Sequence, residues 1–242
     1  MFDFIKYHGL GNDFALFVGP DADLLPMTPE VARQICSRGT GVGADGVMRA
    51  GRSERAALKM ELLNADGSIP EMCGNGLRCL VKYAVEQLKL SDNPLRIETG
   101  AGVLACDWQT DSDGHVVEVK VAMGRPCFER EHIAMSGHGS SLDLTIDTSQ
   151  GPKQVHGVGI GNPHMVLFEN VDRATVDQLG PELSAHPLWP YGTNVEWVSM
   201  KTPAVMDVLV YERGCGVTQA CGTGATAAAA VATRLGMASP GS

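Results

Sequence analysis

Gly9-Leu10-Gly11-Asn12 recurs as Gly159-Ile160-Gly161-Asn162, and Cys73-Gly74-Asn75-Gly76 recurs as Cys221-Gly222-Thr223-Gly224. The first pair is separated by 150 positions and the second by 148. A third pair agrees with them: Asn64 lies nine residues before Cys73, and Glu212 nine before Cys221. In both places an apolar, strand-like run (57–63 and 205–211) leads into that polar residue, and a helical pattern follows the cysteine. One G-x-G-N match means little, because such sequences are common in turns. Three matches at nearly constant offset mark a duplication, which restricts the chain to two related halves, 1–122 and 123–242. The 242 residues suffice for two small domains with a core each.

Local patterns fill in the halves. Leu77, Leu80, Val81, Ala84, Val85 and Leu88 follow helical spacing, and Ser91-Asp92-Asn93-Pro94 is expected to stop that helix. Thr28 and Pro29 start a shorter helix expected to reach Arg38, with Gly39 as its stop. Another helix is expected over Arg173–Leu179, and the last from Ala225 to about Leu235 with Gly236 as C-cap. Strands are expected at 2–7, 14–18, 95–99, 103–108, 115–122, 154–158, 165–168 and 194–199. Residues 129–152 are polar and rich in Gly and Ser, so they read as the linker between the halves, with one short strand at 142–146. The first half continues through three strands after its helix. The second has only 237–242, so the duplication is asymmetric or the chain ends early.

Charge narrows the function classes. The chain carries a net charge of −9 with no basic stretch, which argues against a nucleic-acid partner. No apolar run approaches a membrane span, and Met1-Phe2-Asp3-Phe4 lacks the features of a signal peptide, so a cytoplasmic location is the default. The seven cysteines are then expected to be reduced thiols. No C-x-x-C pair occurs, so no metal site is expected. Cys36, Cys79, Cys106 and Cys127 have bland neighbours and read as small core residues. Cys215 lies in a glycine turn, where a structural role is favoured.

Cys73 and Cys221 differ from the rest. At a helix N-terminus the first N–H groups have no acceptor within the helix and the dipole is positive, which favours a thiolate. The adjoining glycines let a carboxylate approach the same N–H groups. One such site could be a nucleophile, an anion site or a packing feature. Two of them on related halves suggest an acid–base pair: one thiolate removes a proton from a carbon and the other thiol returns one to the opposite face. A dithiol redox site is the rival use of the same two residues.

Several ordered segments resemble diaminopimelate epimerases: Tyr7-His8-Gly9-Leu10-Gly11-Asn12-Asp13-Phe14, Asn64-Ala65-Asp66-Gly67-Ser68, Glu71-Met72-Cys73-Gly74-Asn75-Gly76-Leu77-Arg78-Cys79, Gly161-Asn162-Pro163-His164, Gly192-Thr193-Asn194-Val195, Glu212-Arg213-Gly214 and Ala220-Cys221-Gly222-Thr223-Gly224. The resemblance runs from about residue 4 to residue 236. It implies an α/β (α+β) fold of two pseudo-symmetric domains, each a β-barrel-like sheet around a central helix, with the active site in the cleft between them. It also implies interconversion of LL- and meso-diaminopimelate without pyridoxal phosphate or any other cofactor, in lysine and peptidoglycan precursor synthesis. Cys73 and Cys221 would be the acid and base. Gly74, Asn75, Gly222 and Thr223 would hold the reacting carboxylate. Asn12, Asn64, Asn162, Asn194, Glu212 and Arg213 would bind the rest of a small diamino dicarboxylate, and His164 could orient a thiol or serve structurally. A homodimer is left open.

Three departures from the family pattern stand out: Gly46 where Gln is frequent, Val217 where Glu is frequent, and an end at Ser242 where family chains continue with further strands. The alternatives are a related proline racemase-like or phenazine-biosynthesis-like isomerase, and a truncated, catalytically silent form.

Overall fold

The computed structural model describes residues 2–70, 72–218 and 221–239; the motif residues Glu71 and Ala220 lie outside that range. It divides into two compact units, Met1–Met123 and Gly124–Ser242.

The first unit contains β1 (Asp3–Gly9), β2 (Asn12–Val18), α1 (Pro29–Cys36), β3 (Gly46–Gly51), β4 (Leu58–Asn64), α2 (Gly74–Glu86), β5 (Leu95–Thr99), β6 (Gly102–Thr110) and β7 (Val116–Val121). The seven strands form one sheet in sequence order. The β2–β3 and β4–β5 pairs are parallel and the others antiparallel. Helix α2 touches both β1 and β7, so the sheet curls around it. Phe14, Leu16, Met48, Leu62, Leu95 and Ile97 pack on Leu77, Leu80 and Ala84 of that helix. Alternate residues Ala15, Phe17, Val47 and Leu63 face α1 on the other side. Burial on both faces explains why 14–17 is a continuous apolar run rather than an alternating one.

The second unit contains β8 (Leu144–Thr148), β9 (Gly151–Gly159), β10 (Pro163–Leu167), α3 (Arg173–Ser184), β11 (Asn194–Thr202), β12 (Val205–Glu212), β13 (Gly216–Thr218) and α4 (Gly222–Arg234). Its sheet order is β13-β12-β11-β10-β9-β8. Helix α4 lies against β9, β10, β11 and β12. Together the units make an α+β fold of two curled sheets with helices.

Strand register demonstrates the duplication. The parallel β2–β3 pair sets Phe14 against Gly46, and the parallel β10–β11 pair sets His164 against Asn194. The antiparallel β3–β4 pair sets Gly46 against Asn64. The β11–β12 pair sets Val195 against Tyr211, which brings Asn194 level with Glu212. Asn64 and Glu212 therefore occupy equivalent strand ends, each leading into a cysteine loop.

Several expected boundaries are corrected. Strand β3 was hidden behind the glycines of 39–46, and β13 is a three-residue strand too short to show a pattern. Residues 129–152 are not a linker but part of the second unit, where Ile133, Met135 and Ile146 join the core and the strand is Leu144–Thr148. Helix α1 ends at Cys36 rather than Arg38, because Gly43 N–H and Ala44 N–H fold back onto the Ile35 and Cys36 carbonyls. Helix α2 ends at Glu86, before Leu88, where Leu90 N–H turns back to the Ala84 carbonyl and Lys89 adopts a positive φ. Helix α4 starts at Gly222, three residues earlier than expected.

Helix α3 runs through Gly180-Pro181 instead of stopping at Leu179. A Cβ at Gly180 would lie 2.3 Å from Cδ2 of Tyr211, so glycine here allows helix and strand to meet. Gly180→Ala should therefore destabilise the protein by about 1–3 kcal/mol, visible as a lowered melting temperature. An unchanged melt would mean that the ring moves freely.

Candidate active site

Cys73 is the N-cap of α2, and its Sγ accepts from Gly76 N–H at 3.3 Å. Cys221 is the N-cap of α4, and its Sγ accepts from Gly224 N–H at 3.3 Å. Both caps have extended backbone, with φ/ψ of −138°/102° and −124°/117°. The duplication thus extends to the sulfur atoms. Gly74 and Asn75, and Gly222 and Thr223, are the first two helical residues after each cap, where N–H groups precede the first intrahelical acceptor.

The environments differ. Cys73 is half-buried, whereas Cys221 is buried and contacts Thr223 Oγ1 at 3.1 Å. Burial pushes the Cys221 thiol up, and the nearby carboxylates of Glu212 and Glu196 push it further. This overturns, for Cys221, the expectation that a helix N-terminus favours the thiolate. The Gly224 N–H bond does lower the value, but desolvation and two carboxylates outweigh it. Cys36, Cys79 and Cys106 are buried, with burial raising their thiols to about 11, 12 and 12. Cys127 packs half-buried against the second core, and Cys215 is exposed.

Around Cys73, Asn12 donates through Nδ2 to Asp45 Oδ2 at 3.0 Å. Asn12 Oδ1 then faces Asn75 Nδ2 at 3.5 Å and the Cys73 thiol at 4.0 Å. Asp45 is held by Arg38 at 2.8 Å. Asp13 also binds Arg38 and Lys6, which hold its carboxyl down at about 2 despite partial burial. Arg78 bonds to Asn75 Oδ1. Asn64 Nδ2 donates to Ser68 Oγ at 3.0 Å, within the turn that follows β4.

In the second unit, His164 is fully buried, with Nδ1 2.7 Å from Glu196 Oε1 and Nε2 2.8 Å from Asn162 Oδ1. Asn194 Nδ2 donates to the Pro163 carbonyl at 3.1 Å, and its Oδ1 accepts from Arg213 N–H at 3.0 Å, tying the ends of β10, β11 and β12 together. Arg213 Nη1 donates to the Tyr191 and Gly192 carbonyls at 3.0 and 3.3 Å. Gly192 takes a positive φ there, and a Cβ would stand 2.9 Å from Arg213 Cδ. Glu212 Oε1 accepts from Thr218 Oγ1 at 2.6 Å. Burial raises the Glu212 carboxyl and the neighbouring Glu196 adds to that, against Thr218, His164 and Cys221, which lower it.

Each unit thus assembles its own share of the sequence candidates: Asn12, Asn64, Gly74 and Asn75 with Cys73, and Asn162, His164, Asn194, Glu212, Arg213, Gly222 and Thr223 with Cys221. Asp45 and Glu196 were missed. Glu196 had a signal, as a lone charge inside the apolar run Val195-Glu196-Trp197-Val198. Asp45 had only its place beside a glycine-rich turn. Among the described residues, no cluster of side chains could hold a metal ion, and no helix is long and apolar enough to cross a membrane.

Comparison with known proteins gives a consistent result. The family model for diaminopimelate epimerase matches residues 4–129 and 157–240. A diaminopimelate epimerase of Moorella thermoacetica is 43% identical over 235 residues, covering 96% of this chain and 84% of the relative. One of Desulfitobacterium hafniense is 41% identical over 239 residues, covering 97% of this chain and 84% of the relative. Among solved structures, a hydroxyproline epimerase from Agrobacterium vitis aligns with a TM-score of 0.73 at 18% identity, covering 100% of this chain and 79% of that one. A phenazine biosynthesis protein from Bacillus anthracis aligns at 0.55 and 18%, covering 93% and 75%. These two share the fold.

Proposed function

Because the chain belongs to the diaminopimelate epimerase family and is an isomerase, we propose that it interconverts LL- and meso-diaminopimelate by a two-base thiol mechanism. This reading places it in lysine and peptidoglycan precursor synthesis. The observation that carries it is the matched pair of cysteine N-caps, one per unit, with identical sulfur-to-amide distances.

The chemistry follows from that pair. A thiolate takes the α-proton as the C–H bond breaks, leaving its electron pair on the α-carbon. The second thiol gives its proton to the opposite face, so configuration inverts and the thiol and thiolate exchange roles. Burial and two carboxylates keep Cys221 protonated, so it enters as the proton donor in the direction where Cys73 is the base. The difficulty is the weak acidity of the α-C–H bond. First-turn N–H groups of Gly74, Asn75, Gly222 and Thr223 would stabilise charge developing on the carboxylate. The Arg213 guanidinium suits a distal carboxylate, and Glu212 suits an ammonium. Asn12, Asn64, Asn162 and Asn194 complete the polar lining.

Incubation with LL-diaminopimelate in D₂O, followed by NMR, tests this reading. Deuterium should appear at the α-carbon together with meso product. A folded, reduced sample that exchanges nothing would overturn it. A dithiol redox role would instead show as a disulfide forming reversibly with no α-exchange.

A further inference from the structure

Register identifies what stands in the first unit where His164 and Glu196 stand in the second. Phe14 pairs with Gly46 as His164 pairs with Asn194, and Met48 follows Gly46 by two positions as Glu196 follows Asn194. Phe14 and Met48 are buried core residues packed below α2. The fold therefore accepts an apolar pair at this place, and a buried polar pair is seldom more stabilising than an apolar one of similar size. His164 and Glu196 are nevertheless fully buried. Glu196 Oε2 has no hydrogen-bond partner, so among the described residues the carboxyl group is anchored through His164 alone. Helix α4 closes over it, and a Cβ at Gly224 would lie 2.8 Å from Glu196 Oε1.

The imidazole passes this anchoring to Asn162. Its Nε2 meets Asn162 Oδ1, an acceptor, so Nε2 carries the proton. Nδ1 meets the carboxyl group, which supplies either a proton or a negative charge. Both arrangements leave the His164–Glu196 pair neutral overall. With Oδ1 taken, the amide of Asn162 offers its N–H groups. Asn12, the equivalent residue, is fixed the other way: Asp45 accepts from its Nδ2, leaving Oδ1 on the Cys73 side.

We propose that Glu196 is a positioning residue which, through His164, locks the Asn162 amide with its N–H groups turned to the substrate, opposite in sense to Asn12. In this arrangement Asn162 receives a carboxylate and Asn12 an ammonium group. The idea rests on the epimerase reading for the identity of the substrate, but not for the protonation of the ring.

The first test needs no substrate. Long-range ¹H–¹⁵N correlation should show the His164 ring protonated at Nε2, with the peak assigned by its loss on replacing His164. A bare Nε2 would overturn the proposal, because Asn162 would then have to donate to the ring. The second test installs the first unit's own pair. His164→Phe/Glu196→Met should fold with a melting temperature no lower than wild type and raise KM for diaminopimelate about 10- to 100-fold; kcat is read separately, because the variant also removes the Glu196 carboxylate from beside Cys221. An unchanged KM would reduce the pair to a structural role and overturn the proposal. If the double variant does not fold, Glu196→Gln decides. Its amide N–H can donate to Nδ1, so Nε2 should remain protonated and KM should stay within about threefold. A Gln variant with an Nε2-protonated ring and a KM raised to the double variant's expected range would also overturn it. Wild-type protein that exchanges no α-proton would sink the epimerase reading while leaving the ring measurement valid.

Discussion

Cys73→Ala and Cys221→Ala should each lower epimerisation of LL-diaminopimelate by about 10³-fold or more, because each removes one of two obligatory proton carriers. The substitutions are small and occur at N-caps. Each costs a sulfur-to-amide contact, so a modest loss of stability is expected alongside the kinetic effect. The informative measurement is therefore the stereochemistry of residual exchange. A variant with one thiol can remove and return a proton only on the face that thiol reaches. Deuterium that enters the α-carbon should do so with retention, and no meso isomer should accumulate. Cys215→Ser, at the exposed turn after β12, should leave both rates unaltered. Full racemising activity in either alanine variant would disprove the two-base assignment.

Glu212→Gln should lower kcat/KM by about 100-fold, on the order of 3 kcal/mol, by removing a buried negative charge proposed to meet an ammonium group. Its pH dependence has a definite sign. Burial raises the Glu212 carboxyl above its ordinary value, so the charged form is lost as pH falls through a point above the usual carboxylate range. Wild-type KM should rise on that acid limb, and the Gln variant should lack it. The same substitution would also relieve the repulsion that helps keep Cys221 protonated, so the Cys221 thiolate should form at lower pH. Thiolate absorbance followed against pH checks this. An identical acid limb in both proteins would assign the titration to another group.

Sequence made the repeated parts legible. The cysteine loops, the Gly-x-Gly-Asn hairpins and the strand ends at Asn64 and Glu212 could be paired by offset, and the strand register bears out those pairings. Legibility failed where a local pattern was overruled by tertiary contact. Gly180-Pro181 carries the signature of a helix stop, yet packing against Tyr211 keeps the helix going. The glycines before β3 concealed a strand whose hydrogen bonds come from β4, the next strand, and from β2, a parallel partner on the far side of α1 in the sequence. At the site, dipole reasoning treated the two thiols alike. It could not see that Cys221 is buried beside Glu196 and Glu212, because burial comes from a helix, a sheet and two carboxylates meeting in space. The His164–Glu196 pair escaped for the same reason, since the two residues lie 32 positions apart.

The central helices of the two units differ in girth. Counting from each cysteine, Leu77, Leu80 and Tyr83 of α2 correspond to Ala225, Ala228 and Val231 of α4. The thicker helix reaches both edge strands of its sheet, β1 and β7, whereas the thinner one lies against β9–β12, with Ala225 exposed where Leu77 is fully buried. The space between a curled sheet and the helix it cradles must be filled at crystal-like density. Sheet curl and helix thickness are therefore matched: leucines fill the curled first sheet, and alanines suit a helix with Ala225 and Ala229 on an exposed face. Putting α4 in the place of α2 would leave the first core underfilled, and the reverse exchange would set a leucine at the exposed position of Ala225, although the cysteine, the glycines and the backbone that present the chemistry are interchangeable.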